Sequence, residues 1–141
     1  MKTTKQDEEL IALAGKVAKK NVDLYSEENY CVGSVVKAKS GKIYKGVNLK
    51  TSHSVCAEQV AIGQAFACGE RDLETIVAVK YENGQIDVLS PCGLCRYIFN
   101  KFNLKFNVIV PDIKAKKIIK VKVKDLLPYP YVSEKQKKKR G

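Results

Sequence analysis

Leu10, Ile11, Leu13, Ala14, Val17 and Ala18 recur at helical spacing with Lys and Glu on the other face. This pattern predicts an amphipathic packing helix over roughly residues 5–24. β-Branched content then rises over Val32–Val36 and Ile43–Leu49, and Ser40-Gly41 between them signals a turn, which together predict a β-hairpin. A second helix is expected from Cys56 to about Cys68, entered at Ser54 or Val55 and closed by Gly69 where a left-handed cap belongs. Leu73–Tyr81 reads as a strongly apolar strand, Asn83-Gly84 as a turn and Ile86–Leu89 as a short strand. Pro91-Cys92 opens a third helix running to about Phe102, because proline suits a helix start. Phe106–Val110 and Lys116–Val121 read as further strands, and Val123–Leu127 as a short last helix ended by Pro128. The order αββαββαββα predicts an α/β fold, a three-layer α/β/α sandwich around one mixed central sheet. The pattern does not give the strand order.

A chain of 141 residues, 45% hydrophobic and 29% charged, suits one soluble domain with a core of its own. No apolar run approaches the roughly 20 residues that span a bilayer, so no membrane partner is expected. The charged N-terminus lacks the apolar stretch of a signal peptide, which makes a cytoplasmic location the expectation. Five cysteines, two of them in C-x-x-C, fit a reducing compartment and metal binding better than a disulfide framework. The net charge of +11 invites a nucleic-acid reading. However, Lys135, Lys137, Lys138, Lys139 and Arg140 crowd the end of the chain, and without them 21 basic residues face 15 acidic ones. Such a run reads as a solvated, disordered tail, so residues 1–132 are expected to form the domain and 133–141 the tail.

The chemistry concentrates between Ser52 and Arg96. Cys56-Ala57-Glu58 stands at the front of this stretch and Pro91-Cys92-Gly93-Leu94-Cys95-Arg96 at its back, giving C-x-E … P-C-x-x-C. Three thiolates make a soft ligand set that prefers zinc. Three protein ligands leave the fourth tetrahedral position open, which marks a catalytic centre more than a structural one. Glu58, two residues from a ligand and at a helix start, is placed to exchange protons there. Cys56 and the Cys92/Cys95 pair fall at two helix N-termini, whose partial positive charge stabilises thiolates. Arg96, directly after the last ligand, is a candidate to offset thiolate charge.

At these residues the sequence resembles the zinc-dependent cytidine deaminases of the small, single-domain kind, in their three-cysteine form. Cys56 in the place of a histidine points to the branch acting on free nucleosides. The resemblance extends to Asn29-Tyr30-Cys31-Val32-Gly33, to Gly46-Val47-Asn48 and to Leu126-Leu127-Pro128-Tyr129-Pro130-Tyr131-Val132, most of the chain. Within the class it leans toward blasticidin-S deaminases, through the Leu-Leu-Pro ending and the approach Leu89-Ser90-Pro91-Cys92-Gly93.

The resemblance implies the strand pairing, one Zn2+ per subunit on Cys56, Cys92 and Cys95, and Glu58 as the catalytic proton carrier. It also implies substrate contacts from Tyr30 over the base, Asn48 to a sugar hydroxyl, the Ser90 carbonyl to the amino group, and Ala57 and Tyr131. A homotetramer (or homodimer) whose active sites borrow residues from neighbouring subunits follows from the same likeness. Two features depart from the pattern of nucleoside deaminases, Lys50 in place of a sugar-binding Glu and Gln59 in place of an Arg, and blasticidin-type enzymes share both departures. Against that branch, its Arg near Ile86 and its Trp near Ser133 are missing here. Cytidine, deoxycytidine and blasticidin S therefore all stay open as substrates.

Duller readings compete. The three cysteines alone would make an incomplete structural zinc knuckle, and Glu58 alone a helix acid favoured by the dipole. Cys31 and Cys68 read as buried small hydrophobes, His53 as a loop residue without a matched role, and Tyr129 and Tyr131 as packing or subunit contacts. A deaminase acting on nucleic acid through the lysine tail, or an inactive zinc-containing binding module, are the alternatives to a small-molecule deaminase.

Overall fold

The computed structural model describes residues 1–24, 31–102 and 105–140. Its elements are α1 (Lys5–Leu24), β1 (Val32–Ala38), β2 (Ile43–Val47), α2 (Ala57–Ala67), β3 (Leu73–Glu82), β4 (Gln85–Leu89) and α3 (Gly93–Lys101). They continue as β5 (Asn107–Asp112), β6 (Lys117–Lys122), a 3₁₀ turn (Val123–Leu126) and α4 (Glu134–Arg140). The described residues form a six-stranded sheet of order β2-β1-β3-β5-β6, with β4 hydrogen-bonded to β3 off that path. The β3–β5 pairing is parallel and the others antiparallel, so the sheet is mixed as expected.

The alternation of side chains along the strands divides the core into two layers. Val35 of β1, Val77 and Val79 of β3 and Ile109 of β5 pack against Leu10, Ala14 and Ala18 of α1. Their neighbours Val36, Ile76, Val108 and Val110 turn to the opposite face, where Ala61, Ile62 and Ala65 of α2 and Cys95 and Phe99 of α3 cover them. Phe99 is fully buried, a contribution of roughly 1.5–3 kcal/mol from apolar burial. Two glycines allow the layers to meet closely. A Cβ on Gly33 would stand 2.4 Å from the Ala18 nitrogen of α1, and one on Gly46 would stand 2.4 Å from the Ala61 nitrogen of α2.

One edge of β3 serves two strands in succession. Thr75 and Ile76 pair with β5, whereas Ala78–Glu82 pair with β4 after the Asn83-Gly84 turn, both of whose residues have positive φ. The end of β4 is thereby delivered to the middle of the sheet, with Leu89 opposite Ala78. Ala57, the first residue of α2, packs in the same small cluster as Val32, Ala78 and Leu89. This convergence positions the site, because Cys56 adjoins Ala57 and Cys92 follows three residues after Leu89.

The N-terminal segment is fastened to the far edge of the sheet. Lys2 bridges Ile119 of β6, and the Lys120 N–H donates to the Met1 carbonyl at 2.9 Å. Thr4 and Asp7 cap α1 reciprocally, at 2.8 and 3.2 Å, and Lys120 Nζ reaches Asp7 Oδ2 at 2.9 Å.

Four details differ from the sequence-based expectation. The last predicted helix is a 3₁₀ turn ending at Leu126, and β2 stops at Val47, with Leu49 forming only an isolated bridge to Val55. Cys68, expected inside, is exposed because it is the C-cap of α2, ahead of Gly69 at φ +82°. The C-terminal segment, expected to be irregular, is helical over Glu134–Arg140. Ser133 and Gln136 cap that helix reciprocally, and Gln136 Nε2 donates to the Lys101 carbonyl at 3.0 Å, seating it on the end of α3. No helix among the described residues is long and apolar enough to cross a membrane.

Candidate metal centre and active site

Cys56 and Cys92 occupy equivalent places, each the N-cap of a helix with extended backbone (φ −75°, ψ 148° and φ −67°, ψ 170°). Neither sulfur caps its own helix, so both are turned to other partners. Cys95 lies in the first turn of α3 and is fully buried. The three Sγ atoms lie within 4.8 Å of one another, and those of Cys56 and Cys92 are 3.5 Å apart. Zinc–sulfur bonds of about 2.3 Å in tetrahedral geometry place sulfurs about 3.8 Å apart, so the cluster has the dimensions and the donor chemistry of a zinc site. Among the described residues this is the group of His, Cys, Asp or Glu side chains close enough together to hold a metal ion.

The thiols are not electrostatically equivalent. Burial raises the Cys92 thiol, but it is outweighed by the Cys95 N–H, the Cys56 and Cys95 thiols and the Leu94 N–H, leaving Cys92 the readiest thiolate. Burial, then the contact with Cys92, pushes Cys56 up to about 11. Burial and the charge of Glu58 raise Cys95 further, against a lowering contact from Gln59. Metal binding therefore releases protons and is linked to pH.

Glu58 stands in the first turn of α2 and is only 7% exposed. Burial pushes its carboxyl above the usual carboxylate range, opposed by its own backbone N–H and by the Cys95 thiol beside it. A carboxyl raised in this way and lying against a metal ligand has the character of a proton carrier, not of a surface helix acid.

The remaining sequence-predicted residues divide. Ala57 is fully buried under the site, and Ser90 is exposed at its rim, before Pro91. Asn48 Oδ1 accepts from the Val32 N–H and from Asn21 Nδ2, both at 2.8 Å, which fixes the orientation of its amide. Tyr131 is 77% exposed, away from the described contacts of the cluster. Tyr30 lies outside the described residues. Lys50 and His53 belong to an exposed loop bound up by Thr51 and Ser54, directly ahead of Cys56. Ile86 lies over Gly15 of α1. Arg96 does not turn its guanidinium to the thiols but to the main chain: Nε donates to the Pro91 carbonyl at 2.8 Å and Nη1 to the Leu126 carbonyl at 3.1 Å.

Two participants were given no role from sequence, where Gln59 figures only as a departure from an Arg. Gln59 Nε2 donates to Cys95 Sγ at 3.6 Å, a hydrogen bond onto a ligand sulfur. Asn21 is buried on α1, in line with Ala14 and Ala18. An Asn on the apolar face of a helix is itself the signal that could have found it, since a buried amide requires partners.

Fold and site together define a class: an α/β/α protein with a three-thiol zinc centre and a buried carboxyl against it. Residues 4–110 match the family described as the cytidine and deoxycytidylate deaminase zinc-binding region, and the chain belongs to that family. It is a zinc-dependent deaminase, a hydrolase. The chain is 32% identical over 136 residues to a blasticidin-S deaminase of Bacillus cereus, covering 91% of this chain and 94% of that one. It is 33% identical over 129 residues to a cytidine deaminase of Shewanella woodyi, but spans only 37% of that protein's length. Among solved structures, the cytidine deaminase from Burkholderia pseudomallei superposes with a TM-score of 0.70 at 26% identity, over 92% of this chain and all of the other. That from Mycobacterium leprae gives 0.66 at 27% identity, over 89% of this chain and 99% of the other.

Proposed function

We propose that the protein hydrolyses the exocyclic amine of cytosine in a free nucleoside or an aminoacyl-nucleoside antibiotic, yielding the uracil form and ammonia. The observation that carries this is the convergence of Cys56, Cys92 and Cys95 within 4.8 Å beside the buried Glu58. Zinc held by these thiolates supplies the Lewis acidity that makes water a nucleophile near neutral pH. Glu58 would take the proton that the attacking water gives up as its oxygen bonds to C4 and deliver it to ring N3. It would then take the remaining proton of the new C4 hydroxyl and pass it to the amine as the C–N bond breaks and ammonia leaves. Its raised affinity for protons suits both halves of that task, because it must bind a proton and then release it. Asn48, with its amide fixed by Asn21 and Val32, is the residue we assign to the sugar. The Ser90 carbonyl is assigned to the amino group and Ala57 to the base; Tyr30 and Tyr131 are assigned to the substrate from the family likeness alone.

Blasticidin S is the favoured member of the substrate class. The blasticidin-S deaminase of Bacillus cereus matches this chain along nearly its whole length, whereas the Shewanella woodyi cytidine deaminase matches over about a third of its own. Lys50, where a sugar-binding carboxylate would stand, also speaks against ordinary cytidine. We assign the protein to the cytoplasm, as a homotetramer with residues 1–132 as the catalytic domain and no nucleic-acid substrate.

The test is a panel assay of the zinc-loaded protein with cytidine, deoxycytidine and blasticidin S, followed by the absorbance change from cytosine to uracil. Turnover of at least one, abolished by Glu58→Ala, is the expected result. Silence across the panel in a fully zinc-loaded protein would overturn the reading and favour a binding module.

A further inference from the structure

We propose that Arg96 is a positioning residue that locks the C-terminal arm, residues 127–132, to the joint leading into the metal-binding helix. The inference deepens the proposed function and rests on it. Three nitrogens of one guanidinium meet acceptors on two segments: Nε meets the Pro91 carbonyl at 2.8 Å, Nη2 the Ser90 hydroxyl at 3.5 Å and Nη1 the Leu126 carbonyl at 3.1 Å. The first two belong to the joint between β4 and α3, directly before the ligand Cys92. The third lies 30 residues along the chain from Arg96, at the end of the 3₁₀ turn.

Both acceptors on the main chain need this partner. The Pro91 carbonyl is half of the peptide unit that aims Cys92, and Pro91 has no N–H with which to anchor the joint itself. The Leu126 carbonyl is at a helical end, where carbonyls lack intrahelical donors. The 3₁₀ turn is already seated at its other end: the Val123 N–H donates to the Phe106 carbonyl at 3.0 Å, and Val123 and Leu126 pack on the cluster containing Cys95 and Phe99. Beyond Leu126 the chain leaves the core, carrying the exposed Tyr129, at φ +52°, and Tyr131. The planar fork of Arg96 therefore sets where the arm departs relative to the thiols. The sulfurs have other partners, Cys56 with Cys92 and Gln59 with Cys95. Arg96 acts on the arm and not on the metal.

Arg96→Ala and Arg96→Lys in the full-length, zinc-loaded protein separate these roles. Backbone amide exchange over residues 123–132 reads the arm, and the thiolate-to-cobalt absorption of the Co(II)-substituted protein, with zinc affinity, reads the metal. KM and kcat on the substrate found by the panel read function. In Arg96→Ala, exchange over the arm should quicken about tenfold or more and KM rise about tenfold with kcat little changed. The cobalt spectrum and zinc affinity should match the parent. Arg96→Lys should fall between, since an ammonium cannot serve three acceptors in a plane, and it keeps the test open should the alanine variant fail to fold. Unchanged exchange, or a shifted cobalt spectrum with the roughly 10–100-fold loss of affinity typical of a ligand's hydrogen-bond partner, would overturn the proposal. Were no cytosine compound turned over by the parent, the proposed function would fail alone, and exchange and cobalt spectra would still decide the role of Arg96.

Discussion

The Sγ atoms of Cys56 and Cys92 stand 3.5 Å apart although 36 residues of chain separate them. The sheet causes this approach, since Ala57 and Leu89 pack together over Ala78 and each leads directly to one of the cysteines. Such proximity has a redox consequence. With Cys92 favoured as thiolate and no metal to hold it, small rotations would bring the pair to disulfide distance, about 2.05 Å. Protein stripped by a chelator and mildly oxidised should lose two titratable thiols, and peptide mapping should place the bond between residues 56 and 92. Zinc-loaded protein should keep all five thiols under the same treatment. Equal oxidation with and without zinc would show that the metal does not sit on these sulfurs.

Glu58→Gln separates the proton carrier from the structural acid. The amide keeps the shape of the side chain, and removing a buried carboxyl of raised proton affinity takes away a desolvation cost. Zinc content and melting temperature should therefore match or slightly exceed the parent. The rate kcat should fall by roughly 10²–10⁴, the range for a lost general acid–base. A variant retaining parental kcat would assign the proton transfers to another group.

The elements that were legible from sequence are those in which local pattern and tertiary packing agree. Helix α1 was readable because one stripe of it is apolar, and the Asn83-Gly84 hairpin because both residues adopt positive φ. The ligand set was readable because C-x-E and P-C-x-x-C each begin a helix. The capped helix α4 was masked by its own charge. The lysine run suggested irregular structure, while Ser133 and Gln136 spell the capping-box spacing that starts a helix. Arg96 was expected to offset thiolate charge because it adjoins Cys95 in sequence. On a helix, adjacent residues point about 100° apart, and the guanidinium reaches the main chain instead.

Asp7 gives the fold an acid-sensitive tie. Burial raises its carboxyl, but the Thr4 N–H and hydroxyl and Lys120 outweigh it, so its pKa is below the ordinary 3.8. A depressed carboxylate stabilises the fold above its unfolded pKa, and the contribution is lost as pH falls through the lower folded value. Asp7→Asn should cost about 1.5–3 kcal/mol at pH 7, the range for hydrogen bonds to a charged group. The gap between variant and parent should narrow below pH 3.8. Urea midpoints at pH 7 and pH 3 check this, and a gap independent of pH would show that the carboxylate charge plays no part.

Gly46 couples the sheet to α2 by the absence of a side chain. A Cβ there would lie 2.4 Å from the Ala61 nitrogen and 2.5 Å from the Ala57 carbonyl oxygen. Both are backbone atoms of α2, so the strain cannot be relieved by turning a side chain. Gly46→Ala must push α2 off β2, and the first turn of α2 carries Glu58 immediately after Ala57, with Cys56 as its cap. The variant should lose about 1–3 kcal/mol or more, and its zinc affinity should fall with its stability, because Cys56 moves relative to α3 while Cys92 and Cys95 do not. Gly63 supplies the control. It lies within the same helix, exposed, with nothing within 4 Å of an added Cβ. Gly63→Ala should stabilise the protein by about 0.5–1 kcal/mol through helix propensity alone and leave zinc binding untouched. Denaturant melts and chelator competition on the two variants measure both effects. Parental zinc affinity in a destabilised Gly46→Ala would mean that the metal centre tolerates displacement of α2, and that Cys56 follows β2 and not its own helix.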